Sequence, residues 1–370
     1  MKKIFIILNI LSLFILTGCE SSKDINYNSE IRVNGPVLKI SLIQTAHEIY
    51  NTNIENSYKD LSIESIYSET SIDSKKHYKW LNKTYSSIDE DMKNRLKNIF
   101  DSNSSWNYLN SVIELNDDAN IYDIVNTINS DESLNLSSDL KNDIELFFNY
   151  FYDEHFKSYF NKNKYTLNKK ASKLNNLLYE NDVDIAKFIE NVTNIKPNKD
   201  YVYTFYYSLN PISYQNFEYD NNVVSTISES TNVKDLLKIS FHKYSHDLFD
   251  TFTDSPEFLN VCDLLRSDDN LVSLYKESDS HAYNFNDWCE ENLIEGFSKY
   301  LDYRYSQYEY DFSNFVYDLD FYNYLKDINF NPDKITLEDA SIEFYKKFCT
   351  YLIFISKDIL DFLDIKILPS

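Results

Sequence analysis

The chain has 370 residues and sets 59 acidic side chains against 36 Lys and Arg, a formal net charge of −23. So acidic a surface repels phosphate backbones, which argues against nucleic acid as a partner. Three glycines in the whole chain argue against glycine-rich phosphate loops and dinucleotide-binding turns, and favour helices joined by Asn, Asp and Ser turns.

Residues 1–18 read as a targeting segment. Lys2 and Lys3 precede an apolar run from Ile4 to Leu16 that is broken only by Asn9 and Ser12. The run is shorter than the roughly 20 apolar residues of a spanning helix. Leu16-Thr17-Gly18-Cys19 resembles the lipobox of bacterial lipoproteins. The resemblance implies cleavage before Cys19 and lipid on its sulfur. The remaining chain would then be held at the extracytoplasmic face of a cell membrane without crossing it. Cys19 to Val33 is polar and lacks periodicity, which predicts a flexible tether over 19–33.

From Val37 the pattern becomes helical, with Leu38, Ile40, Leu42, Ile43 and Ala46 on one face. Further helices are predicted over 87–101, 121–129, 138–161, 164–178 and 182–191. In the longest stretch Leu140, Ile144, Phe147, Phe148, Phe151 and Phe156 keep the spacing of a core-facing stripe. The texture changes at Tyr201, where aromatic and β-branched residues predict a strand over 201–209 and a second over 222–227. Ser230 or Thr231 can cap the next helix, which starts near Asn232. Along it Leu237, Phe241, Tyr244 and Leu248 form the buried stripe, with His242 and His246 on its border.

Those histidines stand in the sequence His242-Lys243-Tyr244-Ser245-His246. Four residues apart on a helix, the two imidazoles share one face. This is the spacing of the zinc-protease signature HExxH, with Lys243 in the place of the glutamate. A third ligand is expected from 287–301, which is helical by pattern. Within it Glu295-Gly296-Phe297-Ser298-Lys299-Tyr300-Leu301 resembles the segment that follows HExxH in glutamate-ligand zincins, the gluzincins. That resemblance implies zinc on His242, His246 and Glu295, with Glu291 as the alternative. A second resemblance, to an uncharacterised bacterial family with a helical front half and a HExxH-type back half, covers about 140–305 and gives some support to Glu291.

The fold implied is α+β and mostly α: a helical part over 34–198, then a zincin-like unit with a small sheet over 199–370. In zincins an edge strand beside the metal binds extended peptide by strand addition, and 223–227 or 201–209 is the candidate here. His281, Tyr300 and Tyr303 are candidates to steady an oxyanion.

Lys243 departs from the family pattern. The motif glutamate takes a proton from zinc-bound water, and an ammonium group has no lone pair with which to do so. At about 5 Å and an effective dielectric near 20, its charge repels a divalent ion by roughly 6–7 kcal/mol before screening, unless the flexible stem carries it to water. Glu290 is the candidate substitute base. The expectation is a lipid-anchored, metallopeptidase-like protein, its catalytic base lost, that binds peptide or protein in a degenerate zinc cleft. The alternatives are an active zinc peptidase with a displaced base and a metal-free surface interaction lipoprotein.

Cys262, Cys289 and Cys349 cannot all pair with one another. A Cys262–Cys289 bridge is possible, and at least one free, buried thiol is predicted. The aromatic run from Tyr303 to Tyr317 reads mainly as helix packing, and more helix is predicted over 336–363.

Overall fold

The computed structural model of the chain describes residues 29–55, 72–181, 184–196, 200–210, 216–219, 222–278 and 284–347. Cys19 and the segment 1–18 expected to be a signal, His281 and Cys349 lie outside the described residues.

The front half is helix after helix around α1 (Leu38–Tyr50), whose Leu42, Ile43, Ala46 and Ile49 are fully buried. Around it stand α2 (Ile72–Ser87), α3 (Glu90–Ser102), α4 (Ser105–Val112), α5 (Ile121–Ser130) and α6 (Ser138–Phe151). Asp89, Ser104, Asn120 and Ser137 each cap a helix by accepting a backbone N–H, the expected use of Asp, Ser and Asn at turns. The helix predicted over 138–161 continues through a π turn at Tyr152–Phe156 into α7 (Lys157–Glu180). A short α8 (Ile185–Thr193) follows.

One four-stranded mixed sheet joins the two halves. Its strands are β1 (Ser29–Asn34), β2 (Tyr201–Tyr207), β3 (Asn216–Tyr219) and β4 (Asn222–Ile227), in the order β1-β2-β4-β3. The β1–β2 and β2–β4 pairs are parallel and β3–β4 is antiparallel. Two expectations are corrected here. The tether predicted to reach residue 33 gives way at Ser29 to β1, whose alternation Ile31, Val33 is too short to read as a strand in isolation. The segments 201–209 and 223–227 are not edges, because β2 and β4 are both internal and the edges are β1 and β3.

The back half holds α9 (Val233–Phe249), α10 (Pro256–Arg266), α11 (Asp269–Glu277), α12 (Phe285–Ser306), α13 (Asp318–Asp327) and a helix over 337–347. The cap of α9 is Asn232 rather than Ser230 or Thr231. Its side chain accepts from Lys234 and Asp235, and Asp235 reaches back to the Asn232 N–H. One apolar core runs through both halves, so the sheet and the core cross the expected boundary at 198. The fold is α+β and mostly α. No helix among the described residues is long and apolar enough to cross a membrane.

Candidate metal centre

Helices α9 and α12 lie against each other and build the centre. On α9 Leu237, Phe241, Tyr244 and Leu248 are buried, which fixes the helix about its axis. The neighbouring row, His242 and His246, is thereby left half-buried, with 24% and 32% of their side chains exposed. Helix α12 is covered on more than one side, by α9, α10 and α13, and Glu291 and Glu295 are each only 6% exposed. Gly296 makes the α13 contact possible. A Cβ there would stand 2.5 Å from the Asp318 carbonyl and 3.1 Å from Phe321.

His242 Nε2 lies 3.3 Å from His246 Nε2 and 3.3 Å from Glu291 Oε1, and His246 Nε2 lies 3.6 Å from Glu291 Oε2. A tetrahedral ion with ligands at about 2.0–2.1 Å holds its donor atoms roughly 3.3–3.4 Å apart. The three side chains thus outline one face of such a tetrahedron. They are the group of described residues whose ligand atoms converge, within 4.8 Å of one another, so as to hold a metal ion. Two imidazoles and one carboxylate suit a borderline-soft divalent ion.

Glu295, expected as the third ligand, meets the other side of the first ring: its Oε2 lies 3.1 Å from His242 Nδ1. The acid that faces both Nε2 atoms is Glu291, the alternative. Glu295 stands where a carboxylate fixes a ligand histidine's tautomer and orientation. It is itself held by Asn314 Nδ2, which donates to Oε1, and by Lys299 Nζ at 3.7 Å. Lys299 is fully buried and also pairs with the fully buried Asp318. Asp318 in turn accepts from the backbone N–H groups of Asn314 and Phe315. Asn292 ties the same loop down by accepting from Val316 and Tyr317.

The electrostatics follow from this crowding. Burial works against a charge on His242, but the Glu291 and Glu295 carboxylates outweigh it and lift the ring to about 9. Burial holds His246 down to about 4; Glu291 opposes this, while His242 and Lys243 reinforce it. Burial would raise both acids, yet each lies below the ordinary carboxylate range because His242 stands beside it. Metal-free and near neutral pH, the centre is a compact cluster in which His242 is the charged ring, with an N–H on each nitrogen.

Other expected participants stand elsewhere. Burial, and then the nearby Asp250, push Glu290 up to about 7, against a smaller opposing influence of Thr253. Neither histidine is among its partners. The Tyr300 hydroxyl donates to the Phe330 carbonyl and accepts from Arg304, and Tyr303 carries Lys326 over its ring. Neither tyrosine hydroxyl contacts His242, His246 or Glu291. Cys262 and Cys289 are both buried and unbridged. In the aromatic run Tyr310 and Tyr317 are buried against the helices, while Lys234 and Lys238 of α9 sit over Tyr308 and Tyr310.

Sequence reading missed Asn314, Lys299 and Asp318. Lys299 is one helical turn from Glu295 and was open to view, whereas a loop residue 19 positions after Glu295 gives no local signal. No family model, curated protein or solved structure matches the chain.

Proposed function

We propose that the chain is a zinc-binding, metallopeptidase-like protein that holds peptide or protein without cutting it. Acyl chains on Cys19 anchor it at the extracytoplasmic face of a membrane. The observation that carries the reading is the triangle of His242, His246 and Glu291, set at tetrahedral spacing, with Lys243 in the same helical turn. Zinc at this point would polarise a carbonyl oxygen or a water molecule. His242 and His246 supply neutral nitrogens, Glu291 supplies negative charge, and Glu295 keeps the His242 ring turned inward. The proton acceptor that peptide hydrolysis needs is replaced by an ammonium group, and Glu290 lies outside the converging group of His242, His246 and Glu291. Strand β3, the antiparallel edge, offers a backbone row for an extended peptide.

Metal analysis of the purified chain tests the ligand set. The expected result is one zinc per chain, lost in His246→Ala and in Glu291→Ala. Absence of bound metal at neutral pH would sink it. Peptidase assays separate a binder from an enzyme: the wild type is expected to be inactive, and Lys243→Glu to gain chelator-sensitive hydrolysis. Hydrolysis by the wild type would restore the reading of an active peptidase with a displaced base.

A metal-free reading also has an observation in its favour. Both nitrogens of His242 already face carboxylates, so a charged histidine between two acids satisfies the cluster with no ion present. The same metal analysis decides between the two.

A further inference from the structure

The front half carries a face of the opposite sign from the rest of the molecule. On α2, residues 75–87 hold four lysines and no acid, and on α7, residues 157–179 hold six lysines and no acid. All 59 acids lie elsewhere in the chain. The two helices stand side by side, because the Tyr159 ring stacks on Trp80 with centroids 3.8 Å apart and its hydroxyl lies 2.6 Å from His77 Nδ1. Helix α2 buries His77, Tyr78, Leu81 and Thr84, and α7 buries Phe160, Leu167, Ala171, Leu174 and Leu178. Lysines on the other sides of both helices are thereby turned outward. Lys75, Lys79 and Lys83 follow one another at i, i+4 along α2, and Lys162, Lys169 and Lys173 share a row on α7, all of them exposed. Lys76 and Lys162 border the same cavity, which sets the two rows on one side of the fold.

Lys170 pairs with Glu229, and Lys157, Lys164 and Lys169 sit over nearby rings. Lys75, Lys79, Lys83, Lys162 and Lys173 have no carboxylate partner among the described residues. Like charges left together repel one another, and acids at i, i+4 would relieve them; a chain rich in acids elsewhere places none here. Helix α7 also presents Tyr165 and Tyr179, 66% and 88% exposed. Ammonium groups on long apolar stems, interleaved with tyrosine rings, suit the headgroup layer of a bilayer. The tether points the same way. Strand β1 lies on α7, where Asn175 bonds to the backbone of Val33, so the segment leading back to Cys19 leaves the fold beside α7. Residues 19–28, fully extended, span at most about 36 Å, which matches the length of the 24 residues of α7 at about 1.5 Å each. The net charge of −23 does not forbid contact with anions. At physiological salt, interactions between exposed charges fade over about 8 Å, so acids on the far side count for little against lysines at the surface itself.

We propose that the α2–α7 face lies on a bilayer that contains anionic phospholipid. The unpaired lysines meet the phosphate headgroups, and Tyr165 and Tyr179 reach into the interface. The choice of a bilayer as occupant rests on the anchor proposed at Cys19. The face shares no element with the metal centre.

Vesicle flotation of the full chain carrying Cys19→Ser, and so without acyl chains, tests the face apart from the anchor. Vesicles of phosphatidylcholine alone are compared with vesicles that also contain phosphatidylglycerol. Any grip of the apolar run from Ile4 to Leu16 is common to both, so the difference belongs to charge. The anionic vesicles should bind more tightly, with the margin vanishing at high salt. One lysine at an anionic surface contributes about fivefold in affinity. Lys79 and Lys83 are exposed, so replacing both with Gln leaves folding intact and should cut the margin roughly 25-fold. Lys334→Gln, at an exposed site of the back half, should leave it unchanged. Equal binding to the two kinds of vesicle, an equal loss in Lys334→Gln, or a preference for soluble polyphosphate over the vesicles would overturn the proposal. Acyl mass on the wild-type chain is measured separately, and its absence would sink the anchor but not the charge preference.

Discussion

The two acids on α12 differ in what they touch, and that difference predicts different losses. Glu291→Gln removes the charge facing both Nε2 atoms and should abolish metal binding. Glu295→Gln keeps the ligand set and loosens only the ring of His242, and removal of such an outer partner typically costs about 10–100-fold in affinity. Competition against a metal indicator measures both. The proton on His242 gives a pH dependence with a definite sign. Its folded pKa, about 9, lies above the ordinary 6.5. In metal-free protein His242 therefore contributes stability that is fully present below about pH 6.5 and lost as pH rises through 9. The size is at most about 3 kcal/mol, from the shift alone, less whatever solvent screens at a ring 24% exposed. Urea unfolding of chelated protein between pH 6 and 10 checks it: a flat or rising stability would exclude the charged pair. Metal uptake runs the other way. It requires neutral imidazole, so affinity should climb with pH up to about 9 and one proton should be released per ion bound.

At the scale of elements, α9 and α12 owe their register to features far smaller than themselves. Gly296→Ala drives a methyl group into the Asp318 carbonyl and Phe321, and overpacking of this kind costs about 1–3 kcal/mol. Because Asp318 also holds Lys299, the same change should weaken metal binding, and denaturation midpoint and metal affinity should fall together. Asn232→Ala removes the side-chain half of the α9 capping box and leaves Asp235 bonded to the backbone N–H of residue 232. It should cost about 1 kcal/mol with metal affinity nearly unchanged, which thermal melts and a metal titration distinguish. The histidine helix was legible in the sequence because one segment carries its buried stripe, its polar border and its start signal together, although the cap itself proved to be Asn232. Strand β4 was legible for a similar reason, as Val223 and Val224 with Ile227 stand between polar turns. Strands β1 and β3 were not, since six and four residues carry too little alternation and owe their conformation to partners remote in the chain.

For the whole molecule, the sheet rather than the sequence boundary decides what holds together. Strand β1 pairs with β2 along its full length, Ser29 opposite Tyr201 through Asn34 opposite Tyr206, and packs on α7 and α8. Asn175 of α7 both donates to and accepts from the backbone of Val33. Deletion through Asn34 should therefore destabilise the back half as well as the front, and circular dichroism melts should show one transition shifted down, not two domains parting. Which acid faces both Nε2 atoms, and what orients it, could not be read along the chain. Glu291 and Glu295 lie one turn apart on the same helix, and only the angle at which α12 meets α9 separates them. The pairing of β1 with β2 also sets an order of events during synthesis. A ribosome must deliver more than half of the polypeptide before the first strand has anything to zip against. Until then β1 has only the helices of the front half to rest on, Asn175 among them, and the sheet closes only once its late partner has emerged.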